Sequence, residues 1–116
     1  MSVDKSTAKK NYKQAKRLMG VYRIRNTRND KSYVGFSMDL PARISRHKAE
    51  LKFGSHRNLE LLGEWKSLGE SSFEFEVLDE LGHQEGSQAN PVEELRILAE
   101  MWIRKLENVG CSVVSL

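Results

Sequence analysis

One stretch of the sequence, Gly20 to His47, constrains the fold more than any other part of the chain. It reads GVYRIRNTRNDKSYVGFSMDLPARISRH, two short runs of strand-forming residues separated by Asn and Asp and followed by a candidate helix. Asn and Asp tolerate left-handed backbone and hydrogen-bond to it locally, so this interval favours a turn. Ser37 or Asp39 can cap the helix, and Pro41 suits its first turn, where no N–H is needed. We therefore predict a β-hairpin that leads directly into a helix.

Periodicity and glycines divide the rest of the chain into further elements. The predicted strands span residues 20–26, 31–36 and 73–78, and the predicted helices span residues 40–53, 58–68 and 91–107. A basic segment over residues 1–19 is either an arm that contacts phosphate or a solubilising helix, and residues 109–116 form a tail that can add a short edge strand. This order predicts an α/β domain over residues 20–108, in which helices flank a small three-stranded antiparallel sheet.

Length and composition restrict the class of protein. The 116 residues suffice for one compact domain. No apolar run approaches the length of a membrane span, which predicts that no membrane is involved. The single cysteine, Cys111, excludes an internal disulfide and is typical of a reducing compartment, so we predict a cytoplasmic protein.

The charged residues are distributed unevenly along the chain. Residues 1–57 carry fifteen Lys or Arg against four Asp or Glu, a net charge of +11, whereas residues 58–116 carry four against twelve, a net charge of −8. A basic half indicates a polyanionic partner such as nucleic acid. A solvated surface, on which the fold mixes the two halves, explains the same charges equally well.

Four side chains in the opening stretch have the chemistry to hold and attack a phosphodiester. Arg43 and His47 are four residues apart and share one face of the predicted helix, and Tyr22 and Tyr33 lie on the two strands. A guanidinium binds phosphate without titrating, and an imidazole can relay a proton near neutral pH. The alternative for each residue is ordinary: strand tyrosines with hydroxyls in water, and an arginine and a histidine on an exposed helix surface.

Two tripeptides in this stretch, Gly20-Val21-Tyr22 and Tyr33-Val34-Gly35, resemble those of the GIY-YIG nucleases in sequence and in spacing. The resemblance extends over about residues 20–106 and includes Arg43, His47, His56, the run Phe73–Leu78 and Trp102. It implies the same fold and a metal-dependent endonuclease that cleaves DNA, with Mg²⁺ or Mn²⁺ as the cation.

The resemblance also implies roles for individual residues. Tyr22 is the general base or the group that positions water, Tyr33 is a second hydroxyl contact, Arg43 clamps the phosphate, and His47 transfers a proton or donates a hydrogen bond. The residues expected to contact nucleic acid are Arg23, Arg46, Lys48 and His56.

The last predicted helix departs from the family pattern. The resemblance implies a metal-binding glutamate three residues before Trp102, where this chain has Ala99. Glu100 is the nearest carboxylate, and it reaches the site only if the helix is offset by one residue or contains a π-bulge. Without that ligand, a catalytically impaired nucleic-acid-binding module of the same fold is the alternative, and a protein-interaction domain is a third. DNA versus RNA, and a homodimer versus a separate recognition partner, stay open.

Overall fold

A computed structural model describes residues 18–82 and 90–116, so nearly all of the predicted basic arm lies outside the described residues. The strands are β1 (Met19–Asn26), β2 (Lys31–Ser37), β3 (Phe73–Leu81) and β4 (Val113–Ser115). The helices are α1 (Leu40–Phe53), α2 (Leu59–Leu68) and α3 (Pro91–Asn108), with a short 3-10 turn over Glu70–Ser72.

The strands form a single mixed sheet in the order β3-β1-β2-β4. The central strand β1 is antiparallel to β2 and to β3, and β4 lies parallel to β2. The predicted α/β fold with a small antiparallel sheet is therefore confirmed, with one added strand. That strand has three residues and is the short edge strand that the sequence allows in the tail.

Local turn and capping interactions fix the hairpin and the start of α1. Asp30 adopts a left-handed conformation with φ of 60°, and the side chains of Asn26 and Asn29 accept backbone N–H groups in the turn. Asp39 caps α1 by accepting the N–H of the third residue along, and Gly54 ends the helix with φ of 77°. These interactions give α1 the bounds that the sequence predicts.

Each face of the sheet packs against its own helices. One cluster of buried residues joins β1 and β2 to α1 and α2, namely Ile24, Tyr33, Leu51, Leu61, Leu62, Trp65 and Phe73. The other joins the opposite face to α3, namely Val21, Val34, Ala99 and Leu106. The sheet thus separates α3 from the layer formed by α1 and α2. Among the described residues, no helix has both the length and the apolar character needed to cross a membrane.

Candidate active site

A surface pocket of about 710 Å³ lies where the central strands meet α1. The pocket is lined by residues from both strands of the hairpin, from α1, from the α1–α2 connection and from the end of the chain. These residues are Tyr22, Gly35, Phe36, Arg43, Arg46, His47, Glu50, His56, Arg57, Asn58, Ser115 and Leu116. Tyr22, Arg43 and His47, which the sequence singled out, therefore share one pocket.

Tyr22 reaches the pocket because the opposite position on β2 is a glycine. Tyr22 pairs with Gly35 across the hairpin, and its ring lies over that residue. A Cβ added at Gly35 would lie 2.6 Å from the Tyr22 hydroxyl and 2.8 Å from Cζ. A register irregularity between Val21 and Tyr22 interrupts the pairing of β1 with β3 next to this position. The GVY and YVG tripeptides thus cooperate in placing a phenol.

His47 meets the Tyr22 hydroxyl from α1. Its Nε2 lies 2.6 Å from Tyr22 Oη, and both side chains are buried. His47 occupies the buried stripe of α1 between Leu40 and Leu51. The imidazole is therefore held from below by the core, while Arg43, one turn earlier, remains exposed at the pocket.

His56 is hydrogen-bonded to His47 through the ring nitrogen that does not face Tyr22. His47 Nδ1 lies 2.7 Å from His56 Nε2, and His56 Nδ1 accepts the backbone N–H of Asn58 at 3.0 Å. The side chain of Asn58 in turn caps α2 through the N–H of Leu61 at 3.0 Å. A continuous row of hydrogen bonds thus connects the start of α2 with Tyr22.

Burial and nearby positive charge together determine the protonation states of Tyr22, His47 and His56. Burial raises the pKa of Tyr22 to about 12, and the Arg43 guanidinium opposes part of that rise. Burial lowers the pKa of His47 to about 4, and His56 and Arg43 lower it further. The pKa of His56 is lowered too, mainly by burial. Near neutral pH the phenol therefore keeps its proton and both imidazoles are uncharged.

Arginines give the mouth of the pocket its charge. Arg43, Arg46 and Arg57 are exposed and line it, whereas Glu50 is the one acidic side chain among the lining residues. Arg46 Nε lies 3.3 Å from a Glu50 carboxylate oxygen, which neutralises part of this charge. The excess of guanidinium groups suits the pocket to an anion such as phosphate.

Tyr33 does not reach the pocket, which corrects the prediction that the two tyrosines converge there. Its side chain is fully buried in the cluster with Leu51 and Leu61. Its hydroxyl has no hydrogen-bond partner among the described residues, and burial raises its pKa, with the Glu64 carboxylate adding to the rise. Tyr33 shares a sheet face with Tyr22, but the position opposite it is Ile24 rather than a glycine.

The predicted metal ligand Glu100 also lies outside the pocket. Helix α3 runs without a π-bulge and packs on the other face of the sheet, where Ala99 is buried against Val21 and Val34. Glu100 is exposed on the outer surface, where its carboxylate accepts a hydrogen bond from Arg96 at 2.8 Å. The prediction that Glu100 reaches the site is therefore wrong, because a regular helix turns it away.

The predicted nucleic-acid contacts divide into two groups. Arg46 and His56 line the pocket, although His56 is buried. Arg23 points to the α3 side of the sheet and donates two hydrogen bonds to Glu76, at 3.1 and 3.0 Å. Lys48 is exposed on α1, outside the pocket lining, with its ammonium 5.0 Å from the Phe75 ring centroid.

Three further polar side chains of the pocket, Glu50, Arg57 and Asn58, were not predicted as site residues from the sequence. Glu50 had a usable signal, because it lies three residues after His47 and seven after Arg43, on the same helix face. Arg57 and Asn58 follow His56 directly in a connection between two helices. This connection is too short to show a periodicity that would predict where their side chains point. His47, Glu50 and His56 each offer a ligand atom within 4.8 Å of the other two.

Comparison with known proteins points to one family. Residues 18–87 match the family described as the GIY-YIG catalytic domain. A protein named intron-associated endonuclease 1, from Enterobacteria phage T4, is 35% identical over 65 residues, which is 56% of this chain and 26% of that protein. The chain therefore spans about a quarter of the length of the curated relative that it matches.

Two solved structures share the fold over most of the chain. The catalytic domain of homing endonuclease I-TevI has a TM-score of 0.65 and 26% identity, covering 83% of this chain and 97% of that one. A mutant of the catalytic domain of intron endonuclease I-TevI has a TM-score of 0.64 and 28% identity, covering 82% of this chain and 91% of that one.

Proposed function

Because the chain belongs to the GIY-YIG family, we propose that it is a metal-dependent endonuclease that hydrolyses phosphodiester bonds in DNA. The observation that carries this proposal is the pocket in which Tyr22 and His47 are hydrogen-bonded beside the exposed guanidinium of Arg43. Three exposed arginines at its mouth suit it to a polyanion.

Each group in the pocket has a proposed role in hydrolysis. Arg43 clamps the scissile phosphate through its planar fork of N–H donors and stabilises charge that develops on phosphorus. Tyr22 orients the reacting oxygen or the attacking water, and His47 holds Tyr22 in place through the 2.6 Å hydrogen bond. Arg46 and Arg57 contact neighbouring phosphates.

GIY-YIG nucleases are generally metal dependent, and the pocket holds three side chains with a potential metal-ligating atom, those of His47, Glu50 and His56. The imidazoles of His47 and His56 do not suit a divalent cation as they lie, because their facing nitrogens are hydrogen-bonded at 2.7 Å. Glu50 does suit it, because Mg²⁺ and Mn²⁺ accept one carboxylate completed by water and phosphate oxygens. We therefore propose Glu50 as the protein ligand. The bound cation supplies Lewis-acid stabilisation of the phosphate.

A nucleic-acid-binding module without catalysis is the second candidate, and Ala99 favours it. The alanine occupies the position at which the family pattern implies a metal-binding glutamate, and it is buried in the core. If Glu50 does not replace that ligand, the pocket still binds phosphate through its arginines but does not cleave.

Conversion of supercoiled plasmid to the nicked form, with Mg²⁺ or Mn²⁺, tests the proposal. We expect Arg43→Ala to lower the nicking rate about 100-fold or more, because it removes charge stabilisation in the transition state. Arg104→Ala is the matched control, since Arg104 is exposed on α3, across the sheet from the pocket, and should leave the rate unchanged.

The same experiment separates the two candidates. Absence of nicking by the unmodified protein with either cation, together with retained gel retardation, would identify a binding module. An RNA duplex of matched sequence, assayed in parallel, shows whether cleavage is restricted to DNA.

A further inference from the structure

Three consecutive hydrogen bonds connect a backbone amide at the start of α2 with the phenol of Tyr22. The Asn58 N–H meets His56 Nδ1 at 3.0 Å, His56 Nε2 meets His47 Nδ1 at 2.7 Å, and His47 Nε2 meets Tyr22 Oη at 2.6 Å. The two imidazoles and the phenol are all at least nine-tenths buried. Each imidazole uses both ring nitrogens in this row.

The backbone amide determines which nitrogens carry protons. An amide N–H can only donate, so His56 Nδ1 is an acceptor and the single proton of the neutral ring lies on Nε2. His56 therefore donates to His47 Nδ1, which leaves the His47 proton on Nε2, and His47 donates to Tyr22 Oη. A second proton on either ring would make two donors face each other. Both rings are consequently neutral, and all three hydrogen bonds run toward Tyr22.

We propose that His56 is a positioning residue that, through His47, makes Tyr22 a hydrogen-bond donor toward the occupant of the pocket. The Tyr22 oxygen already accepts from His47, and its own O–H has no other partner among the described residues. Because Tyr22 lines the pocket, that proton is available to a bound anion. The identity of the anion as a phosphodiester rests on the proposed function.

This direction of hydrogen bonding opposes a role for Tyr22 as a general base. A base must pass its proton on or begin as a phenolate, and His47 Nε2 cannot accept a proton because it already carries one. The pKa of Tyr22, raised to about 12 by burial, agrees with a phenol that stays protonated. A protonated phenol held over the phosphate stabilises negative charge on a phosphate oxygen.

A pair of substitutions at Asn58 isolates the backbone amide. Asn58→Pro removes the N–H, and the φ of −80° at this position is close to the proline value. Asn58→Ala is the matched control, because it loses the same side-chain cap of α2 but keeps the N–H. The readout is the tautomer of each imidazole, from two-bond ¹H–¹⁵N correlation spectra of the full chain near neutral pH without DNA or metal.

We expect both His47 and His56 to carry their proton on Nε2 in the unmodified protein and in Asn58→Ala. In Asn58→Pro, His56 should become a mixture of its two neutral tautomers, and His47 should then become a mixture as well. A proton on Nδ1 of His47 in the unmodified protein would overturn the proposal, and so would tautomers unchanged by Asn58→Pro. If Asn58→Pro does not fold, loss of the pure Nε2 tautomer of His47 in His56→Ala supplies the same test.

Substitutions of His56 then connect the tautomer with activity. His56→Ala should lower kcat for plasmid nicking about tenfold with little change in KM, since one directed hydrogen bond is lost. His56→Gln should restore most of the rate, because its amide can accept from Asn58 and donate to His47. Equal loss of rate in both variants would contradict the positioning role. No nicking by the unmodified protein, with the expected tautomers, would refute the proposed function and leave the direction of the hydrogen bonds standing.

Discussion

Gly35 shows how one residue on β2 controls a side chain on β1. The ring of Tyr22 occupies the space above Gly35, and the hydroxyl then meets His47 from the side. No other residue type leaves that space free, so the glycine is required for packing rather than for an unusual backbone conformation. The geometry of the pocket therefore depends on the absence of a Cβ atom at residue 35.

Gly35→Ala should destabilise the protein by about 1–3 kcal/mol, because its Cβ would overlap the Tyr22 ring. Displacement of the ring should also break the hydrogen bond to His47 and lower the nicking rate more than tenfold. Gly63→Ala is the matched control: no atom of residues 18–82 or 90–116 lies within 4 Å of its Cβ position, and Ala in the exposed surface of α2 should stabilise slightly. Urea unfolding measures the free energies. Equal stability of the two variants would contradict this explanation.

The sequence was a better guide to the identity of the site residues than to their arrangement in space. Tyr22, Arg43 and His47 share a pocket as expected, but the burial of His47 in the apolar stripe of α1 was not foreseen. Tyr33 was expected beside Tyr22 and instead lies in the core. Spacing along a strand shows on which face of the sheet a side chain lies. How deeply that side chain is buried depends on residues far away in the sequence, and spacing does not reveal them.

Elements were more predictable than sites because their start and stop signals are local. Helix α1 has its predicted bounds, set by Asp39 and Gly54, and α3 is one residue longer than predicted. The sequence did not reveal on which side of the sheet α3 packs. That side matters, since it places Ala99 in the core rather than at the pocket.

Restoring the glutamate of the family pattern should therefore not create a metal site. Ala99→Glu would bury an unpaired carboxylate against Val21 and Val34, and we expect a loss of about 3 kcal/mol or more in stability. Ile97→Glu introduces the same side chain on the exposed side of α3 and should cost little. Thermal unfolding of both variants, with and without Mn²⁺, is the measurement. Stabilisation of Ala99→Glu by Mn²⁺ would show that the position does reach a cation.

On the scale of the whole molecule, the fold keeps much of the charge asymmetry of the sequence. The basic half supplies α1 and the connection after it, and so the arginines of the pocket. The acidic half supplies β3 and α3, where Glu93 and Glu100 both pair with Arg96. Several basic residues of the first half are paired with acidic residues of the second half, namely Arg23 with Glu76, Arg25 with Glu74, Lys31 with Glu60 and Glu64, and Lys52 with Glu70. The surface left to meet a polyanion is therefore narrower than the basic half of the sequence suggested.

Duplex binding should accordingly depend on salt through a small set of arginines around the pocket. Arg57→Ala should weaken binding at all salt concentrations and reduce the slope of log K against log[salt] by about 1, because one phosphate contact releases about one counterion. Arg104→Ala removes the same charge from the surface of α3 and should leave the slope unchanged. Fluorescence anisotropy with a labelled duplex, in EDTA to prevent cleavage, measures both slopes. A slope that falls equally in the two variants would mean that the duplex responds to net charge alone, and the pocket would then have no special place in binding.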